Sequence, residues 1–199
     1  ATATLLGEVM KAVGIPDGVY NVVHGFGPGS AGEYLTRHPG VDGITFTGET
    51  RTGEAIMAAA AQGVRPVSFE LGGKNAGIVF ADADFDKAVA GITRSAFENC
   101  GQVCTAIKRV YVPEELYASV VDELAELANA IVVGNGEQPG VELGPINNKP
   151  QFERVKELVE EARASGARIV TGGRTIGDKG YFYAPTIVAD IAEGTRLVD

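Results

Sequence analysis

Two side chains in this sequence are of types that do covalent and acid–base chemistry, in settings that suggest they could do it here. Cys104 closes the stretch Phe97-Glu98-Asn99-Cys100-Gly101-Gln102-Val103-Cys104. The Gly101-Gln102 pair predicts a polar turn after a helix. Such a turn exposes the thiol, and the thiolate is the attacking form. The competing reading is a buried structural cysteine, the commoner fate of that residue. For Cys100, which precedes the turn, the structural reading is preferred. Glu70 lies in Phe69-Glu70-Leu71-Gly72-Gly73-Lys74. A carboxylate at a strand end followed by two glycines can act as a general base. Taken alone, these residues favour the alternative, a surface glutamate paired with Lys74.

Two glycine-bearing stretches could meet a phosphate. Gly27-Pro28-Gly29-Ser30-Ala31-Gly32 fits G-x-G-x-x-G after an apolar run, the context of a dinucleotide fingerprint. Pro28 in the turn and the lack of a well-placed acidic residue some twenty positions on favour a plain loop. In Phe46-Thr47-Gly48-Glu49-Thr50-Arg51-Thr52-Gly53 a strand turns tightly into a helix, whose first N–H groups could hold an anion. A simple strand–helix connection is the equal alternative. His24 and His38 stand far from both cysteines, and none of the four has zinc-type spacing, so no metal site is expected.

The elements that would position these groups alternate. Leu5, Leu6, Val9, Met10 and Val13 recur with helical period up to Gly14 and Pro16. Val19 to Val23 reads as a buried strand leading into the loop Gly25 to Gly32. Val41 to Phe46 is a strand, Thr50 to Gln62 a helix, Val64 to Leu71 and Ala76 to Phe80 two strands. Asp84 is an N-cap, with Lys87 at the capping-box position, for a helix carrying Phe85, Ala88, Val89, Ile92 and Ala96. Lys108 to Val112 is a strand, and Pro113 with Glu114 opens a helix to about Ala130. Phe152, Val155, Leu158 and Val159 mark another helix. Arg168 to Thr171 and Tyr183 to Val188 close the series as strands. This alternation predicts α/β layers on a largely parallel sheet, with a weak boundary near Gly72-Gly73.

Composition sets limits on function. The 199 residues are 45% apolar and 22% charged, with a net charge of −9, an ordinary globular balance. An acidic chain without a basic run is a poor partner for nucleic acid or an anionic membrane. No stretch approaches the roughly 20 apolar residues of a membrane span, and the first residues lack a signal-peptide pattern. Two cysteines make no disulfide framework, so a cytoplasmic, reducing setting is expected.

Taken together, these segments resemble the aldehyde dehydrogenase superfamily. The resemblance is carried by Ile44-Thr45-Phe46-Thr47-Gly48, Gly53, Phe69 to Lys74, then Phe97, Asn99, Gly101, Gln102, Cys104 and Arg109. Gly144-Pro145, Thr171-Gly172-Gly173, Gly180-Tyr181-Phe182 and Pro185-Thr186 continue it, and Gly14 to Val23 opens it. The resemblance implies a Rossmann-like cofactor-domain half over residues 1–70 and a thiol-bearing catalytic α/β domain over 71–199. It implies Cys104 as nucleophile, through a thiohemiacetal and a thioester, and Glu70 as the base that activates water. The backbone N–H of Cys104 would supply half of the oxyanion hole. Gly48, Glu49 and Gly53 would line the cofactor near its diphosphate, and Leu71 and Gly72 would approach the nicotinamide. The implied cofactor is NAD, with NADP left open. The implied partners are a small aldehyde and further copies of the chain.

The sequence departs from the family pattern at Glu49, where serine is usual. A carboxylate beside a diphosphate is unfavourable unless it points away, so Gly48 is the firmer contact. The Gly-Glu-Thr variant, with Ile56-Met57 and Ser68-Phe69, resembles the hydroxymuconic and aminomuconic semialdehyde dehydrogenases. The part after Cys104 looks more like general aldehyde dehydrogenases. The family has further segments on both sides, so the chain reads as a piece of a longer enzyme, inactive or nearly so alone. Two other readings stand beside this one: a branch that passes the acyl group to coenzyme A, and a non-catalytic relative.

Overall fold

The computed structural model describes residues 2–199. The chain forms two compact units divided between Gly72 and Gly73.

The first unit contains helix α1 (Thr2–Ala12), helix α2 (Ala31–Arg37), strand β1 (Ile44–Gly48), helix α3 (Thr50–Ala61) and strand β2 (Val67–Leu71). β1 and β2 pair in parallel from Ile44↔Val67 to Gly48↔Leu71. Parallel pairing requires a crossover, and α3 supplies it. Ile56, Ala59 and Ala60 are its buried face, and the partners Phe46 and Phe69 meet edge to face at 6.4 Å. Arg65 ties α2 to α3 by donating to the carbonyls of Thr36, His38 and Ala59.

Two expectations fail in this unit. Val19 to Val23 is not a strand but irregular backbone. Val19 is 70% and Val23 63% exposed, and a strand needs a ladder partner that these residues do not find here. The glycine-rich loop runs into a helix, α2, that the reading of 25–32 as loop did not anticipate.

The second unit contains β3 (Asn75–Ile78), α4 (Phe85–Phe97), a 3-10 turn (Glu98–Gly101), β4 (Ile107–Tyr111), α5 (Glu114–Ala130), α6 (Lys149–Ala164), β5 (Arg168–Thr171) and β6 (Ile187–Ala189). β3, α4 and β4 form a parallel βαβ unit. Its core is Val79, Val89, Ile92, Val120 and Leu124, with Phe85, Ile107, Val110 and Leu116 packed around it. Burial of such aliphatic side chains stabilises by about 1.5–3 kcal/mol each before entropy is counted. Asp84 caps α4 by accepting from the Lys87 N–H at 3.2 Å, and Asn148 caps α6 by accepting from Gln151.

The sheet differs from the expected one. Among the described residues there are three two-stranded sheets, and β5 pairs with β6 antiparallel. The reason is the connection. Residues 172–186 double back on themselves, with Thr175 bridging Tyr183, rather than crossing over through a helix. Only the end of the expected strand Tyr183 to Val188 therefore joins a ladder. Among the described residues no helix is long and apolar enough to cross a membrane, and no cluster of three or more His, Cys, Asp or Glu gathers to hold a metal.

Candidate active site

Cys104 sits where α4 gives way to β4. After Phe97 the backbone takes a left-handed conformation at three consecutive residues: Asn99 (φ 51°), Cys100 (φ 58°) and Gly101 (φ 70°). Only glycine adopts this region without cost, and a Cβ on Gly101 would lie 3.0 Å from the Ala96 carbonyl oxygen. The chain reverses here and enters a turn in which the Ala106 N–H donates to the Val103 carbonyl. Ala106 is buried and anchors the turn. Cys104, within it, is exposed.

Side chains fix this segment at several points. Asn75, on β3, donates from Nδ2 to the Cys104 carbonyl at 2.7 Å. Lys108 Nζ donates to the Gly101 carbonyl at 2.7 Å. Gln102 Nε2 donates to the Asn99 carbonyl, and Gln102 Oε1 accepts from the Asn147 N–H. Arg109 Nε donates to the Lys74 carbonyl. No group among the described residues accepts the Cys104 N–H, which leaves it available to an oxyanion next to the thiol.

The two cysteines have opposite surroundings. Cys100 is half-buried and its thiol donates to the Gly144 carbonyl at 3.2 Å. Burial pushes its pKa up, as low polarity disfavours the thiolate. Two lysines near the segment titrate below their ordinary range. For Lys74 the first cause is desolvation, followed by the charges of Arg154 and Arg109. For Lys108 it is desolvation, then the charge of Lys74. Lys74 Nζ donates to the Leu197 carbonyl.

Glu70 and the expected cofactor residues belong to the first unit. Glu70 lies on the exposed face of β2, in register with Thr47. Gly48 and Leu71 are partners at the carboxyl ends of β1 and β2, where α/β sheets bind ligands. Helix α3 begins two residues later, so its positive end lies at that edge. Gly53 lets its first turn sit close to β2, since a Cβ there would lie 3.0 Å from Leu71 Cδ2. Gly72 has open space where a Cβ would project. Glu49 is held by Arg51, whose Nε and NH2 donate to its Oε1 at 3.1 and 2.8 Å, so its charge is paired beside the helix start. A helix N-terminus, small residues and a neutralised carboxylate fit a dinucleotide diphosphate.

The loop Gly27 to Gly32 fits it less well. Ser30 Oγ accepts from the Phe26 N–H, and Glu33 accepts from the Gly29 N–H at 2.8 Å. These amides are therefore taken up by side chains of the loop and of α2, and no strand among the described residues leads into them. Sequence reading missed Asn75 and Lys108. Asn75 follows the Gly-Gly-Lys motif directly, a signal that could have drawn attention to it.

A family model described as the aldehyde dehydrogenase family matches residues 1–199. The chain is 59% identical to a 2-hydroxymuconic semialdehyde dehydrogenase of Pseudomonas putida, covering 99% of this chain and 42% of that protein. It is 52% identical to the enzyme of the same name from Pseudomonas sp. (strain CF600), with the same coverage. An NAD+ complex of an aldehyde dehydrogenase from Bacillus cereus superposes with a TM-score of 0.95 at 38% identity, covering 98% of this chain and 40% of that one. The chain thus spans about two-fifths of the length of the proteins it matches.

Proposed function

Because the chain belongs to the aldehyde dehydrogenase family, we propose that it carries the thiol nucleophile and the hydrolytic base of an NAD(P)-dependent oxidation of an aldehyde to a carboxylic acid. The observation that supports this most directly is the exposed Cys104 on a turn held from both sides, with its own N–H unengaged, while Cys100 four residues earlier is turned inward.

Cys104, as the thiolate, adds through Sγ to the aldehyde carbon, and the carbonyl oxygen becomes the oxyanion of a thiohemiacetal. The Cys104 N–H donates to that oxygen, which stabilises charge where it develops. When bound, the dinucleotide supplies the hydride acceptor that turns this adduct into a thioester. Glu70 takes a proton from water as it attacks the thioester carbon. The C–S bond breaks, the acid leaves, and the thiolate is restored. Gly48, Gly53, Leu71 and Gly72 form the small-residue edge that holds the dinucleotide. Glu49 stands beside it with its charge compensated by Arg51. We place the cofactor-holding role in residues 1–70 and the thiol-bearing role in 71–199. The similarity to muconic semialdehyde dehydrogenases favours an unsaturated, carboxylate-bearing semialdehyde as substrate.

The test is turnover of such a semialdehyde by a full-length protein carrying these residues, with Cys104→Ser and Glu70→Gln beside it. The reading requires that Cys104→Ser abolish acid formation and that the wild type need no coenzyme A. Retained turnover in Cys104→Ser, or an acyl-coenzyme A product, would overturn it.

A further inference from the structure

The pairing of β3 with β4 is interrupted at one place. Asn75 is opposite Ile107, but the next residue, Ala76, is opposite Arg109. Lys108 is thus an extra residue in β4 with no partner, a bulge. Bulges re-aim a side chain and are frequent beside active sites. Here the interruption has two outcomes. Lys108 reaches back over the turn to the Gly101 carbonyl, at 2.7 Å. Asn75, the first residue of β3, projects its amide to the Cys104 carbonyl, also at 2.7 Å. The segment 101–108 is therefore closed at its base by Lys108 and held at its middle by Asn75.

We propose that Asn75 and Lys108 are positioning residues for the Cys104 thiol, acting through the backbone carbonyls of Cys104 and Gly101. The inference rests on the reading of Cys104 as nucleophile. An exposed turn bearing a nucleophile must still present the thiol in one pose, because small misplacements cost large factors in rate. The chain between Gly101 and Ala106 has little packing of its own besides Ala106. Two of its carbonyls, by contrast, are engaged by donors from β3 and β4. A charge-assisted bond such as that of Lys108 is about twice as strong as a neutral one. The two donors have separate origins in sequence, 33 positions apart by number (75 and 108), and the pairing of β3 with β4 brings both to one segment.

The experiment compares wild type, Asn75→Asp, Lys108→Met and Lys108→Arg. Asn75→Asp keeps shape but replaces the donor with an acceptor facing a carbonyl. Lys108→Arg keeps a cationic donor. Two readouts use the chain itself: amide hydrogen exchange over peptides spanning 98–106, and the ratio of Cys104 to Cys100 alkylation by iodoacetamide across pH. A third is the split between kcat and aldehyde KM in a full-length protein with these residues. We expect exchange at Ala106 to rise about tenfold in Asn75→Asp and Lys108→Met. The alkylation ratio should change, kcat should fall with KM kept, and Lys108→Arg should restore all three. Exchange and alkylation ratios equal to wild type in both variants would overturn the proposal. If Asn75→Asp does not fold, the exposed Lys108 pair of variants decides. Failure of the nucleophile reading is separately visible, since Cys104→Ser would then keep its turnover.

Discussion

The Cys100 thiol donates to the carbonyl of Gly144 across 44 positions of sequence, so it serves as a tether between the thiol-bearing segment and the loop that precedes α6. Its pKa is pushed up by burial, while Cys104 stands exposed in the turn. Peptide mass spectrometry after limited treatment with iodoacetamide near pH 8 should find Cys104 labelled first and Cys100 labelled only on unfolding. The burial of Cys100 and the exposure of Cys104 both act in that direction. Equal labelling of the two in the folded chain would remove the distinction on which the nucleophile assignment rests.

Replacing Glu70 by glutamine should leave the fold intact. The side chain is exposed on β2, and surface substitutions of this kind usually stay within about 0.5 kcal/mol. Acyl transfer to water should fall by about 10²–10⁴-fold. In a full-length protein the expected signature is a burst of reduced dinucleotide close to one equivalent, followed by slow turnover. A variant without a burst and with normal steady-state rate would mean another group activates the water.

Leu124 belongs to the buried cluster with Val79, Val89, Ile92 and Val120. Leu124→Ala should destabilise the second unit by about 2–5 kcal/mol, from lost transfer energy and the cavity left behind. Urea unfolding followed by circular dichroism would register this as a lower midpoint with an unchanged slope.

Asp190 joins three elements. Its carboxylate takes hydrogen bonds from Arg168 on β5 and from Tyr117 on α5, both at 2.7 Å, and it directly follows β6. These partners, Arg168 first, hold its pKa below the usual aspartate value. A depressed pKa in the folded state gives a contribution that is complete above the unfolded pKa of about 3.9 and is lost as pH falls through the folded value. Asp190→Asn tests the charge alone, because asparagine tolerates the left-handed backbone (φ 57°) found there. The variant should melt lower than wild type at pH 7. The gap should close as pH falls below about 4. A gap independent of pH would assign the effect to shape.

Much of this architecture could be read from local pattern. β5 spans the residues expected, Arg168–Thr171. Helix α5 starts after Pro113 and ends at Ala130, and Asp84 caps α4 as its position before Phe85 suggests. These features depend on neighbours in sequence. Val19 to Val23 shows the limit: an apolar β-branched run states a preference, but a strand exists only where another chain segment offers its N–H and C=O groups. Helix α2 was hidden behind glycines, although Ser30 followed three residues later by Glu33 is a helix-start pattern. The motif residues Cys104 and Glu70 were legible as types. The hold of Asn75 and Lys108 on the turn was not, because it depends on which residue of β4 is left over when β3 pairs with it. Register is a property of two strands together.

The left-handed run at Asn99, Cys100 and Gly101 restricts which sequences this segment can explore. Each residue with a Cβ pays about 1–2 kcal/mol in that conformation, with asparagine and aspartate the usual exceptions. A combinatorial library randomised at these three positions and sorted for solubility should return mostly glycine, asparagine and aspartate.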